Sequence, residues 1–124
     1  MKQTIQTDSA PKAIGPYSQA VSIGDFVYTS GQLGIDMNTG KLALGVEAQA
    51  KLALQHIGTI LKEKGLSYSN IIKTTIFLKD MADFSVVNAV YQSFFIKEYP
   101  ARSTVQVAAL PLDASVEVEC IAAR

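Results

Sequence analysis

The chain has 124 residues, 48% of them hydrophobic, and its 11 basic and 11 acidic side chains cancel to a formal charge of zero. That length sets the prior at a single domain, 1–124, with enough apolar content for a core, and it excludes intrinsic disorder. Both signs are spread along the chain, with 5 basic and 4 acidic residues in the first 62 and 6 and 7 in the rest, so no basic patch speaks for a nucleic acid partner.

The N-terminal stretch Met1 to Asp8 lacks the apolar run of a signal peptide, and no run of about 18 apolar residues offers a membrane span. Cys120, the sole cysteine, has no disulfide partner and no cysteine with which to share a zinc ion. The expected setting is therefore soluble and cytoplasmic, with no membrane partner.

In chain order, the first clear elements are two strands, Gln19 to Ile23 and Phe26 to Ser30, joined at Gly24-Asp25 as a hairpin. Asn38-Thr39-Gly40 marks a tight turn. From Val46 to Lys64 the spacing becomes helical, with Ala50, Ala53, Leu54, Ile57, Ile60 and Leu61 on one stripe and Gly65 placed to end it. Ile71 to Lys79 alternates too loosely to assign its faces, but Thr74 to Leu78 has the β-branched and aromatic content of a central strand. A second helix is expected from an N-cap at Asp83 through Phe84, Val87, Val90, Tyr91 and Phe94, up to the barrier at Pro100. Two more strands follow, Ser103 to Ala108 and Ser115 to Ala122. The order β, β, α, β, α, β, β predicts an α+β fold, one mixed sheet with both helices on a single face. The other face, rich in apolar strand residues, is expected to pack against another subunit.

Few residues are equipped for chemistry. Only two of the 11 basic residues are arginines. Arg124 ends the chain, whereas Arg102 follows Pro100-Ala101 into a strand, where its planar fork could hold a carboxylate or form an ordinary ion pair. Alternation through Val116-Glu117-Val118-Glu119-Cys120 puts Glu117 and Glu119 on one face and Val116, Val118 and Cys120 on the other. Two adjacent carboxylates fit a solvated face, or a water-activating base if a neighbour covers that face. His56 reads as a helix surface or boundary residue, and Cys120 as a small buried hydrophobe. There is no P-loop, GxGxxG, HExxH or zinc spacing, so neither metal nor nucleotide cofactor is expected.

Pro100-Ala101-Arg102-Ser103-Thr104-Val105-Gln106-Val107-Ala108, with Val116-Glu117-Val118-Glu119 after it, closely resembles the signature of the RidA/YjgF reactive-intermediate deaminase family. Ala13-Ile14-Gly15-Pro16-Tyr17-Ser18-Gln19-Ala20, Thr29-Ser30-Gly31-Gln32, Lys73 to Asp80 and Phe84 to Tyr91 with Asn88 resemble further family blocks, so the likeness covers nearly the whole chain. It implies a chorismate-mutase-like fold, a homotrimer whose sheets line a central barrel, and active sites in the clefts between subunits. It also implies hydrolysis of 2-aminoacrylate and related enamines or imines to 2-keto acids and ammonia, intermediates that leak from pyridoxal-phosphate-dependent dehydratases and damage such enzymes.

On that resemblance Arg102 matches the arginine that grips the substrate carboxylate, and Glu117 the glutamate that activates or orients water. Tyr17, Ser30 and Gly31 match residues lining the cleft. Asn88 and Thr104 match positions around the arginine, from the adjacent subunit, and family members often carry cysteine where Thr104 stands. Imines already hydrolyse in water, so positioning plus a general base suffices and no cofactor or covalent nucleophile is called for. A competing reading is a non-enzymatic sensor of 2-keto acids or other small carboxylates that uses the same Arg102 pocket. A ribonuclease role, attached to eukaryotic relatives, is opposed by zero net charge, one histidine and two arginines.

Overall fold

The elements of the computed structural model, which describes residues 1–124, run β1 (Gln3–Ile5), β2 (Ala20–Ile23), β3 (Phe26–Thr29), β4 (Gln32–Leu33), β5 (Ile35–Asp36), β6 (Lys41–Leu42), α1 (Val46–Lys62), β7 (Ile71–Leu78), α2 (Phe84–Gln92), β8 (Ala101–Gln106) and β9 (Val116–Ala123). The main sheet has the order β1-β2-β3-β9-β7-β8, with β4 also paired to β9. It is mixed, because β7 and β8 are parallel while every other pair is antiparallel. The parallel pair follows from connectivity: α2 lies between the two strands and supplies the crossover. Short strands β5 and β6 form a separate hairpin around Asn38-Thr39-Gly40.

One face of this sheet is closed by the helices. Val116, Val118, Cys120 and Ala122 of β9 are buried, as are Thr74, Ile76 and Leu78 of β7. The helical stripe predicted from spacing lies against them, all six of its residues at most 1% exposed. Burying each of the larger ones contributes about 1.5–3 kcal/mol. α1 stops at Lys62, where Gly65 takes φ 70° and the Leu66 N–H returns to the Leu61 carbonyl, an ending that a left-handed residue makes possible. α2 packs on α1, and Tyr91 and Phe95 extend the same core.

Three expectations need correction. His56 is buried, not at the helix surface: its Nε2 lies 2.7 Å from the Ile35 carbonyl, and because a carbonyl only accepts, that nitrogen carries the proton. Burial pushes its pKa down. The second helix ends at Gln92, well before Pro100, so Phe94 lies beyond it. The Asp83 side chain makes no capping bond. Asp80 does the capping instead, its Oδ1 accepting from the Ala82 N–H at the head of a one-turn 3-10 segment that leads into α2. The loose alternation of Ile71 to Lys79 also has a cause, an irregularity between Ile71 and Lys73 against β9. The extra residue resets the inward and outward positions.

Candidate active site

β3 and β4 run along the same partner, β9, but out of step. Tyr28 pairs with Ile121 and Gln32 with Val118, four residues against three. The bulge falls at Thr29-Ser30-Gly31 and is stitched by side chains. Thr29 Oγ1 accepts the Cys120 N–H at 2.9 Å, and Ser30 Oγ donates to the Ser18 carbonyl at 2.6 Å. The second bond ties the bulge to the loop that carries Tyr17, whose hydroxyl accepts from the Ile14 N–H at 3.2 Å and whose ring is half exposed. A Cβ at Gly31 would stand 2.6 Å from Glu117 Cδ, so any side chain there must displace the Glu117 carboxylate. The Glu117 side chain thus lies directly over the Gly31 backbone.

Glu117 points away from the helices, beside Glu119. Partial burial and the neighbouring Glu119 charge raise its pKa. It makes no ion pair, since the chain's one salt bridge joins Lys79 and Asp113. A carboxylate deprived of water and set next to a like charge is poised to accept a proton.

Arg102 is organised separately. Phe84, Asn88 and Tyr91 recur on α2 at intervals of four and three residues, which puts them on one stripe. Asn88 Oδ1 accepts from Arg102 Nη1 at 2.7 Å. The guanidinium carbon lies 4.9 Å from the centre of the Tyr91 ring and 5.5 Å from that of Phe84. One N–H is engaged and the rest of the fork is free for a planar anion. An open depression of about 490 Å³ lies there, lined by Asn88, Tyr91, Gln92, Tyr99, Pro100 and Arg102. Thr104, two residues on, shares this face, and its Oγ1 is buried without a hydrogen-bond partner.

The two clusters do not meet within one chain. Arg102 pairs with Thr74, which pairs with Cys120, and both partners are buried beneath the helices. Glu117 pairs with Phe77, which pairs with Val105, in the row of the open face. Strand spacing and rise separate the Arg102 and Glu117 Cα atoms by roughly 14 Å along the sheet, with the side chains leaving on opposite sides. Asn88 and Arg102, by contrast, are joined on the same chain and belong to the same cluster.

Three contributors were missed by sequence reasoning. Gln19, 3% exposed, accepts from the Thr7 N–H and donates to the carbonyls of Thr7, Ala10 and Pro11, which pins the loop leading to Tyr17. Tyr91 and Thr74 form a buried hydroxyl pair at 2.8 Å behind Arg102. The 84/88/91 spacing was the available signal for Tyr91; Thr74 and Gln19 gave none. Cys120, buried, has its thiol pushed up to about 12, chiefly by loss of water. No three His, Cys, Asp or Glu side chains gather as a metal site, and no helix is long and apolar enough to cross a membrane.

The chain is similar to known proteins over nearly its whole length. The model of the family described as endoribonuclease L-PSP matches residues 7–124. A 2-iminobutanoate/2-iminopropanoate deaminase of Salmonella typhimurium is 48% identical over all of this chain and 99% of its own length. Reactive Intermediate Deaminase A, chloroplastic, of Arabidopsis thaliana is 50% identical over 98% of this chain and 65% of its own. Among solved structures, Escherichia coli TdcF with bound serine superposes with a TM-score of 0.95 at 46% identity, covering 98% of each chain.

Proposed function

This chain belongs to the RidA/YjgF family, whose model is described as endoribonuclease L-PSP, and from that premise we propose that it hydrolyses 2-iminopropanoate and 2-iminobutanoate to the 2-keto acids and ammonia. The observation that carries the reading is that the chain offers, on opposite sheet faces, a guanidinium fork with one N–H engaged and a partly buried carboxylate of raised pKa. The first recognises a small carboxylate; the second activates water.

The same two groups stand on opposite sheet faces, so a complete site takes Arg102 from one chain and Glu117 from a neighbour. An assembly is further supported by the open face, where Phe26, Tyr28 and Val105 are each more than 40% exposed. Apolar surface of that extent favours burial against another copy. A homotrimer with sheets lining a central barrel, and three intersubunit clefts, satisfies both requirements. Arg102, Asn88 and Thr104 would come from one subunit, and Glu117, Gly31, Ser30 and Tyr17 from the next.

In such a cleft Arg102 pairs with the substrate carboxylate and fixes C2 beside a water held by Glu117. Glu117 takes a proton from the water as its oxygen bonds to C2 of the N-protonated imine, and the C=N π electrons become the amine lone pair. Glu117 then passes its proton to that amine. The C–N bond breaks with its electron pair leaving on ammonia, and Glu117 accepts the hydroxyl proton as the carbonyl forms. Orientation and general-base catalysis, the latter worth about 10²–10⁴-fold, suffice for an imine. Ser30 is committed as a donor to Ser18, so its structural part is to hold the Tyr17 loop.

The test is a coupled assay with a threonine dehydratase. Added protein should accelerate release of 2-ketobutyrate, and Arg102→Ala should abolish the acceleration. Binding of the keto acid without acceleration would instead identify a sensor.

A further inference from the structure

Arg102 sits on β8, an edge strand paired only with β7. An arginine on an edge has little to hold a long, flexible side chain, yet bidentate recognition needs the guanidinium plane fixed. The restraint comes from a closed circuit of three elements. Thr74 on β7 is the register partner of Arg102. Thr74 is 1% exposed, and its hydroxyl meets the Tyr91 hydroxyl of α2 at 2.8 Å. The Tyr91 ring carries the guanidinium of Arg102 at 4.9 Å from its centre, and Phe84 lies on a second side at 5.5 Å.

We propose that the Thr74–Tyr91 hydroxyl pair is a positioning device for the substrate-binding arginine, one that locks the Tyr91 ring so that the Arg102 fork is held in a single orientation before substrate arrives. Tyr91 forms part of the lining of the depression but is only 4% exposed, so its main action is through Arg102. The division of labour within the cluster follows from chemistry. Asn88 accepts one N–H, while the stacked rings hold the guanidinium plane against rotation and shield it from water, which strengthens its attraction to an anion. A phenylalanine at position 91 would supply the ring without the lock, whereas an aliphatic residue would supply neither.

For the kinetic part the proposal rests on the deaminase reading; its structural part does not. The chain has only two arginines, Arg102 and Arg124, so guanidinium nuclear magnetic resonance signals are readily assigned with Arg102→Lys as the reference. In the wild-type protein, rotation about the Arg102 Nε–Cζ bond should be hindered and its Nη protons resolved, more so than in exposed Arg124, whose guanidinium has one hydrogen bond, to the Lys64 carbonyl. Tyr91→Leu should average the Arg102 signals and raise KM about tenfold or more, with a much smaller change in kcat. In an Arg102→Lys background, Tyr91→Leu should add little to KM.

Thr74→Val combined with Tyr91→Phe removes both hydroxyls without leaving either unpaired, and so guards against a folding failure. It should give a folded protein with faster Arg102 rotation and a KM raised severalfold. Averaged Arg102 signals in the wild-type protein, or hindered rotation that survives in Tyr91→Leu or in the double variant, would overturn the proposal. So would a KM penalty in the Arg102→Lys background equal to that in the wild type. A wild-type protein that fails to hydrolyse imines but keeps a hindered Arg102 sinks the deaminase reading and leaves the positioning device standing.

Discussion

Glu117 holds its charge against two opposing influences, loss of water and the neighbouring Glu119. A general base at Glu117, as proposed, must be ionised, so activity should fall as pH drops through a pKa raised above that of an ordinary glutamate. Glu119→Gln removes the like charge, and the acid limb of the kcat/KM profile should move to lower pH; an unmoved limb would detach that limb from Glu117. Stability is affected in the opposite sense. A carboxyl with a raised folded pKa binds protons more readily folded than unfolded, so its ionised form costs stability above that pKa, and the cost is absent below the unfolded value. Glu117→Gln should therefore lose turnover yet raise Tm at pH 7, with the gain fading toward about pH 4. Equal Tm differences at both pH values would refute that linkage. Arg102 and Glu117 were visible in the sequence because one is a rare residue type and the other breaks an apolar strand at a period of two. Gly31 was visible only through resemblance, since nothing local says that a glutamate 86 positions away will lie over it. Gly31→Ala must push that carboxylate aside and should lower kcat with little loss of fold.

At the scale of elements, hydrophobic periodicity identified α1 and β9, the Gly24-Asp25 turn marked the β2–β3 hairpin, and β-branched and aromatic content identified β7, whose alternation is broken by its irregularity against β9. β4, β5, β6 and the short β1 escaped: two- and three-residue strands have no period to read. The end of α2 was misplaced for a related reason. Proline sets an outer limit on a helix, but here the turn comes earlier, where Ser93 Oγ donates back to the Val90 carbonyl and Phe94 and Phe95 turn toward Tyr68. The segment before β2 has no regular structure except β1, and its order depends on Gln19. Gln19→Ala strips partners from the backbone groups of Thr7, Ala10 and Pro11, of which only Ala10 is fully buried, at about 1–3 kcal/mol for a buried backbone group left unsatisfied. The expected readout is faster tryptic cleavage after Lys12, together with a raised KM as the Tyr17 loop loosens; unchanged cleavage would show that the bulge bond from Ser30 to Ser18 holds the loop without Gln19.

For the whole molecule, the sheet itself separates the chemistry. A single chain offers the arginine on its helix side and the glutamate on its open side, so no hinge or loop motion within one chain can join them without unpairing strands. Sequence alone could place Glu117 on a face opposite Val116 and Val118, but it could not place Arg102, because the register of a parallel strand reached through a helix is set by tertiary packing. The two-sided arrangement makes a prediction that depends on assembly. Arg102→Ala and Glu117→Gln, each inactive alone, should complement when co-expressed, because a cleft that draws its arginine from a Glu117→Gln chain and its glutamate from an Arg102→Ala chain is intact. Random assembly in a cyclic oligomer restores about one cleft in four, and hence about a quarter of wild-type activity. Separately purified variants mixed without subunit exchange should stay inactive. Activity absent from co-expressed oligomers, with both variants shown to be in the same particles, would mean that the arginine and the glutamate do not share a cleft across the interface.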